Sequence, residues 1–98
     1  MISFKLKLSD VIKGESSRNT AIQIREYIIT LLDKYDVIEI DLSGTNLTPS
    51  VADEVIGVLA YKLNAELFKK KIKILNSSES QMALMKHVIA RRLKKIHE

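Results

Sequence analysis

The sequence has few of the residues that build covalent or metal-bound cores. It contains no cysteine among its 98 residues, which excludes disulfides and thiolate metal sites. Its two histidines, His87 and His97, stand ten residues apart in one helical pattern. That spacing is about 15 Å along a helix axis, too far for one ion. We therefore expect no metal site.

Glycine is also scarce, and the glycines are Gly14, Gly44 and Gly57. Their spacing fits neither a dinucleotide-binding motif nor a phosphate-binding P-loop. The sequence shows no nucleophile elbow and no serine flanked by a base. We predict that the protein is not an enzyme and uses no cofactor.

Long hydrophobic runs are missing too. No apolar run reaches the roughly 18 residues that span a bilayer, and no signal segment with a cleavage site is visible. Hydrophobic residues make up 46% and charged residues 29% of the chain, close to the averages for globular domains. We expect one cytoplasmic domain over residues 1–98, with no membrane partner.

Three segments alternate apolar and polar residues with the period of two that a strand with one buried face requires. They are residues 2–8, residues 37–42 and the segment KIKIL at 71–75. Val11 and Ile12 either extend the first strand past a bulge or form a short second strand. Lysines and carboxylates should pair across the strands on a solvent face, which favours helices on one side only; this set is Lys5, Lys7, Glu39, Asp41, Lys71 and Lys73.

Three further segments carry apolar residues at helical spacing, at about 18–34, 50–64 and 79–96. Capping boxes are expected at Thr20 with Gln23 and at Ser78 with Gln81, and Asn64 should end the second helix. The second helix should bury Ala52, Val55 or Ile56, Leu59 and Leu63. The third helix should bury Met82, Met85, Val88 or Ile89, Leu93 and Ile96.

Strands and helices thus alternate along the chain. This order predicts a small α/β domain with a largely parallel sheet of three to four strands and three helices mainly on one face.

The start of the second helix has two interpretations. Either Ser50 is the N-cap, paired with Asp53 in a capping box, or Thr48 is the N-cap and Pro49 is the first helical residue. Both describe a capped helix with Asp53 and Glu54 near its positive end. Local sequence leaves both open.

The motif at 41–44 resembles the STAS domain, the fold of bacterial anti-sigma factor antagonists. In that family a strand closing with Asp-Leu-Ser-Gly leads to a phosphorylatable serine at the start of the second helix. Asp41 to Gly44 reproduce this motif, and the spacing places Ser50 at that serine. The segments GESSRNTA at 14–21 and KIKILNSS at 71–78 are similar to further parts of the family, so the likeness covers nearly the whole chain.

The likeness is closer still to a STAS-like group of bacterial and phage proteins. That group reads Arg then Ala in the first helix and Ser, small, Ala, Asp, Glu at the second. The matching residues are Arg18, Ala21, Ser50, Val51, Ala52, Asp53 and Glu54. Pro49, Val51 and Ala52 differ from the antagonists, which have an acid before the serine and Ser-Gly after it. Full STAS domains also continue with a strand and a fourth helix that have no counterpart here.

The resemblance implies a non-catalytic module that regulates a signalling or transcription-control pathway through protein–protein contact. Its partner would be a kinase-like ATPase or a regulatory factor, and loop 43–50 with the first turns of the second helix would be the docking surface. Ser50 would be the phosphoacceptor and switch, and Thr48, Asp53 and Glu54 would contact the partner. Arg18 would pair with one of these acids or with a phosphate.

The charge distribution suggests an alternative. Residues 1–61 carry six basic and nine acidic residues, and residues 62–98 carry ten and three, so the net charges are −3 and +7. A basic surface on the third helix, with Arg91, Arg92, Lys94 and Lys95, can contact phosphates, although the helix has no aromatic residue to stack on bases. The alternative is therefore a nucleic-acid-associated protein, and a third interpretation is a structural subunit of an oligomer.

Overall fold

The computed structural model describes residues 2–12 and 18–94. Its elements are β1 (Ser3–Lys7), α1 (Leu8–Ile12), α2 (Arg18–Leu32), β2 (Val37–Asp41), α3 (residues 49–63), α4 (Ala65–Lys71), β3 (Ile72–Leu75) and α5 (Glu79–Lys94). The helical stretch α3 is continuous, with segments Pro49–Val51, Ala52–Gly57 and Val58–Leu63, and its middle segment has the wider π-helical turn. All three predicted strands and all three predicted helices are present.

The sheet is parallel throughout, in the order β1-β2-β3. Its helix-covered face is formed by alternate residues that align across the strands. One row across the three strands is Leu6, Ile40 and Ile74. The neighbouring row, two residues earlier on each strand, is Phe4, Ile38 and Ile72. This arrangement confirms the predicted α/β class and the parallel sheet.

The opposite face of the sheet carries most of the predicted charges. Lys5 is aligned with Glu39, and Glu39 with Lys73, so opposite charges face each other across both strand pairs. The prediction was wrong for Lys71, which is the last residue of α4 and not part of a strand. Asp41 lies 3.9 Å from Lys5 of the neighbouring strand, as expected. It is buried and not exposed, because the Ser43 amide and the Asn76 side chain donate to its carboxylate.

The central helix α3 lies at the middle of the core. Val51, Ala52, Val55, Ile56 and Leu59 have no exposed surface. Val55 and Ile56 were predicted as alternatives, yet both are buried, because α3 packs against α2 and against α5. Leu63, in the last turn, is half-buried.

The strand predicted at Val11 and Ile12 was wrong, because residues 8–12 form the short helix α1. Lys7 is aligned with Asp41, the last residue of β2, so the chain beyond Lys7 has no neighbouring strand to pair with. A helical turn satisfies the backbone there, and Leu8 is fully buried. The Gly14 turn lies outside the described residues.

Two capping predictions have different outcomes. At α5, the Gln81 amide donates to Ser78 Oγ at 3.1 Å and the Ser78 amide donates to Gln81 Oε1 at 2.9 Å, which confirms that capping box. At α2, the expected cap at Thr20 was wrong, because the helix already begins at Arg18 and Thr20 lies inside its first turn.

A short fourth helix, α4, was not predicted. Asn64 ends α3 as expected, with a positive φ of 70°, and its Oδ1 then accepts from the Leu67 amide at 3.1 Å. One residue therefore terminates α3 and caps α4. Phe68 anchors α4 in the core.

The apolar stripe of α5 is only partly covered. Met85 and Val88 are buried, Ile89 and Leu93 are half-buried, and Met82 is 49% exposed. The prediction that Met82 faces the core was therefore wrong, because Met82, in the first turn of α5, lines an open recess. Ile96 lies outside the described residues. No helix in residues 2–12 and 18–94 is long and apolar enough to cross a bilayer.

Candidate functional site at the start of the central helix

The loop between β2 and α3 is fixed at its base by Asp41. The Asp41 Oδ1 atom accepts from the Ser43 amide and from Asn76 Nδ2, both at 2.9 Å, while Lys5 Nζ lies 3.9 Å from Oδ2. The asparagine side chain, followed by the Ser43 donors, lowers the pKa of Asp41 from 3.8 to about 2. Asp41 therefore stays ionised and orients the loop at neutral pH.

The connection after β3 braces the same loop from the other side. Asn76 adopts the left-handed conformation, with a φ of 58°, which asparagine tolerates better than most residues. Gln81 Nε2 donates to the Thr45 carbonyl at 2.8 Å. An open polar recess of about 670 Å³ lies between the two connections, lined by residues 42–46, 76–78 and Gln81.

Thr48 is the N-cap of α3. Its Oγ1 accepts from the Val51 amide at 3.3 Å, and Pro49 occupies the first turn, where a missing N–H costs little. This geometry decides between the two interpretations of the helix start. Ser50 is therefore a half-buried residue of the first turn and not the capping residue.

The two acids that follow, Asp53 and Glu54, point toward arginines of neighbouring helices. Glu54 is buried and accepts from Arg25 Nη1 at 2.6 Å through Oε2, and Oε1 accepts from Arg18. The Arg25 guanidinium is itself buried. The pair of Arg25 with Glu54 fixes α2 to α3, and because both ions are buried, each stabilises the other. Arg18, predicted to pair with an acid or with a phosphate, contacts Glu54, and its role toward a phosphate stays a prediction.

Asp53 connects α3 to α5 through a two-point contact. Arg92 Nε donates to Oδ1 at 2.9 Å and Nη2 donates to Oδ2 at 2.6 Å, and Arg18 Nη1 lies 3.6 Å from Oδ2. The hydrogen bonds from Arg92 lower the pKa of Asp53 and raise that of Arg92. A bidentate arginine fixes both orientation and distance.

Gly57 makes room for that contact. A Cβ atom on Gly57 would lie 3.0 Å from Asp53 Oδ1 and 3.2 Å from Arg92 Cγ, so a larger residue would press on the ion pair. The glycine and both acids belong to the π-helical segment. Wider turns of this kind are frequent at functional sites.

The structure brings together most of the residues predicted for the site. Thr48, Ser50, Asp53 and Glu54 share the first turns of α3, and Arg18 reaches them from α2. Their predicted contacts with a partner and the modification of Ser50 stay predictions. The predicted basic residues of the third helix have different surroundings. Arg92 binds Asp53, whereas Arg91 and Lys94 are exposed. Lys95 lies outside the described residues.

Two residues of the site, Arg25 and Asn76, were not predicted. Arg25 lies four residues after Ala21 and three before Ile28, on the buried stripe of α2. Because a buried arginine needs a counter-ion, this spacing could have predicted a buried ion pair. Asn76 carried no comparable signal, since its role depends on the long-range approach of β3 to Asp41. Within residues 2–12 and 18–94, no group of three histidine or acidic side chains could hold a metal ion.

Comparison with known proteins gave one family match. A family model described as a STAS-like domain of unknown function matches residues 20–82, more than half of the chain. The matched span includes the loop, all of α3 and the start of α5. No curated protein and no solved structure gave a significant match.

Proposed function

The chain belongs to the STAS-like domains of unknown function, and from that membership we propose a non-catalytic cytoplasmic module that acts by protein–protein contact. Its pathway would be partner-switching signalling or transcription control. The docking surface would be loop 43–50 with the first turns of α3, and Ser50 would be the switch. The partner would be a kinase-like ATPase or a regulatory factor.

The proposal depends on one observation: Ser50 lies in the first turn of α3 but does not cap the helix. Thr48 supplies the capping oxygen, so the Ser50 hydroxyl is not needed to close the helix. Ser50 is half-buried, and its neighbour Pro49 is exposed. Buried Leu47 anchors the loop beneath them. Ser50 is thus partly accessible and follows a loop that buried Leu47 anchors.

Electrostatics make this position suitable for a charge switch. A phosphate on Ser50 would add about −1.5 to −2 charges close to Asp53 and Glu54. Both acids already bind arginines, so the new charge would mainly change the affinity for a partner that docks at the start of α3. Arg18, with half of its side chain exposed, is the arginine of this cluster best placed to turn toward a phosphate.

The fold should tolerate the added charge. A helix N-terminus stabilises anions through its dipole and its free amides. We therefore expect phosphorylation, or its mimic Ser50→Asp, to change partner binding and to leave the helical content unchanged.

The test is affinity capture from the native host with three forms of the chain: wild type, Ser50→Asp and the neutral control Ser50→Asn. The proposal expects wild type and Ser50→Asn to retain the same protein, and Ser50→Asp to lose it with an unchanged circular dichroism spectrum. Equal capture by all three forms would contradict the switch. Phosphopeptide mapping of the native protein then identifies the modified residue.

The nucleic-acid alternative depends on the basic residues of α5. Arg92 is bound to Asp53, which leaves Lys86, Arg91 and Lys94 exposed among the described residues of that helix. A salt-dependent mobility shift that Arg91→Glu with Lys94→Glu abolishes would support this function. If neither test succeeds, the structural-subunit interpretation gains.

A further inference from the structure

An apolar groove lies between α4 and α5, away from the docking surface proposed above. Its walls are Ala65 and Phe68 of α4 and Met82, Ile89 and Leu93 of α5. Ile56 and Ala60 of α3 and Ile74 of β3 also line it, and its volume is about 520 Å³. We name this surface the α4–α5 groove.

The groove uses apolar residues that the core leaves uncovered. Met82 is 49% exposed, and Ile89 and Leu93 are half-buried, although all three continue the stripe that buries Met85. The short side chains of Ala60 and Ala65 leave space between the walls. Exposed apolar surface of this kind, with flexible methionine in its wall, is typical of protein-binding sites.

Two lysines line the groove, one on each wall. Lys69 belongs to α4 and Lys86 to α5, both are exposed, and no acidic residue lines the groove. The acids of residues 62–94, Glu66 and Glu79, lie outside it. A partner that is apolar along its centre and acidic along both sides would therefore complement this lining.

The length of the groove favours a helix. Met82 and Leu93 are eleven residues apart on α5, about 16 Å or three turns. We propose that the α4–α5 groove binds an amphipathic helix of a protein partner, with its apolar face on Met82, Ile89 and Leu93 and its flanking carboxylates on Lys69 and Lys86. Helix-in-groove recognition uses this arrangement of spaced apolar anchors.

Two other occupants fit less well. A fatty acid carries one carboxylate at one end, whereas the lysines stand on opposite walls. If two copies of the chain met groove to groove, Lys69 and Lys86 of one copy would face the same lysines of the other, and like charges repel. The long helix of the acidic half, α2, offers Tyr27 as its one exposed large apolar side chain among the described residues, so it lacks a matching stripe.

The test uses the full chain and two synthetic helical peptides of about 16 residues, or four turns. Both peptides carry the same leucine and phenylalanine stripe, and the flanking positions are glutamate in one and lysine in the other. Binding is measured by fluorescence anisotropy and is located by NMR of the methionine methyl groups of Met82 and Met85.

We expect the glutamate peptide to shift both methyl signals and to bind at least about tenfold more tightly than the lysine peptide, because opposite charges replace like charges. The variant Lys69→Glu with Lys86→Glu should reverse this preference. The matched control, Lys34→Glu with Lys70→Glu, changes the net charge equally at exposed lysines that do not line the groove, and it should keep the wild-type preference.

Several results would overturn the proposal. These are equal binding of both peptides, methyl signals that neither peptide moves, or a control variant that loses the preference as fully as the groove variant does. Dodecanoate moving the methyl signals when neither peptide does would assign the groove to a small amphiphile. Signals that move with protein concentration alone would assign it to a second copy.

Discussion

The two ends of the central helix α3 use positive charge in opposite ways. At its start, Arg18, Arg25 and Arg92 converge on two acids, and the pair of Arg25 with Glu54 is buried. Beside its second half, Lys69 and Lys86 are exposed at an open apolar groove. The planar guanidinium suits fixed internal contacts, and the hydrated lysine ammonium suits an exposed rim.

This difference shows that the basic C-terminal segment is not one uniform binding surface. Arg92 belongs to the internal framework, although its sequence neighbours Arg91 and Lys94 are exposed. Counting charges along the chain therefore overstates the positive surface. Substitutions of the paired charges at the start of α3 should affect stability, and substitutions of the exposed lysines at the α4–α5 groove should affect binding.

The largest effect is expected from Glu54→Gln. This change removes the buried counter-ion of the Arg25 guanidinium and leaves it only the exposed Glu26 carboxylate. Breaking a buried pair on one side costs about 3 kcal/mol or more. Urea unfolding followed by circular dichroism measures the free energy of unfolding. The matched control is Glu26→Gln, which removes an exposed carboxylate 3.8 Å from the same arginine and should cost less than about 1 kcal/mol. Equal costs would show that the buried pair of Glu54 with Arg25 stabilises the fold no more than an exposed carboxylate does.

A smaller effect is expected from Arg92→Lys. The charge stays, but the two-point contact with Asp53 is lost, so we expect a cost of about 1 kcal/mol. The control Arg91→Lys changes the same residue type at an exposed neighbour and should leave the urea midpoint unchanged. If the two variants behave alike, the contact between α3 and α5 does not depend on the arginine fork.

Acid should weaken the loop at residues 43–50, which we propose as a docking surface. The folded-state pKa of Asp41 is about 2, below its ordinary value of 3.8, so its contribution is complete above about pH 4. That contribution is lost as the pH falls toward 2. Asp41→Asn should lower the stability at pH 7 and should flatten this part of the profile, measured by thermal unfolding between pH 7 and 2. A profile identical to that of wild type would contradict the role of Asp41.

The smallest effect is expected at the open groove. Met82→Ser removes an apolar side chain that is half exposed, so we expect a change within about 0.5 kcal/mol, as for other surface positions. Met85→Ser, at a buried position of the same helix, should cost several times more. A large cost at Met82 would show that the groove is part of the core.

The elements that sequence predicted well are those with strong local patterns. The period-two strands and the Ser78–Gln81 capping box depend on neighbouring residues, and both are present as expected. The STAS-like family that the sequence resembles is also the family whose model matches residues 20–82. Local pattern and family likeness were sufficient for the architecture.

The features that sequence did not predict depend on distant contacts. Helix α1 begins where the pairing of β1 with β2 ends. Asp41 is buried because Asn76, after the end of β3, approaches and donates to it. The pairing of Arg92 with Asp53 joins residues 39 positions apart. From local sequence, Arg92 looks like part of an exposed basic helix and Asp53 like an acid at a helix start. Only the packing of α5 on α3 shows that the two residues pair.

We propose that a partner docks on loop 43–50, next to the ion pairs at the start of α3. Hydrogen–deuterium exchange of the chain, alone and bound to the protein it captures, locates the docking surface. We expect the amides in residues 43–50 to exchange more slowly in the complex. Unchanged exchange in that loop, with protection confined to residues 86–94, would contradict the proposal.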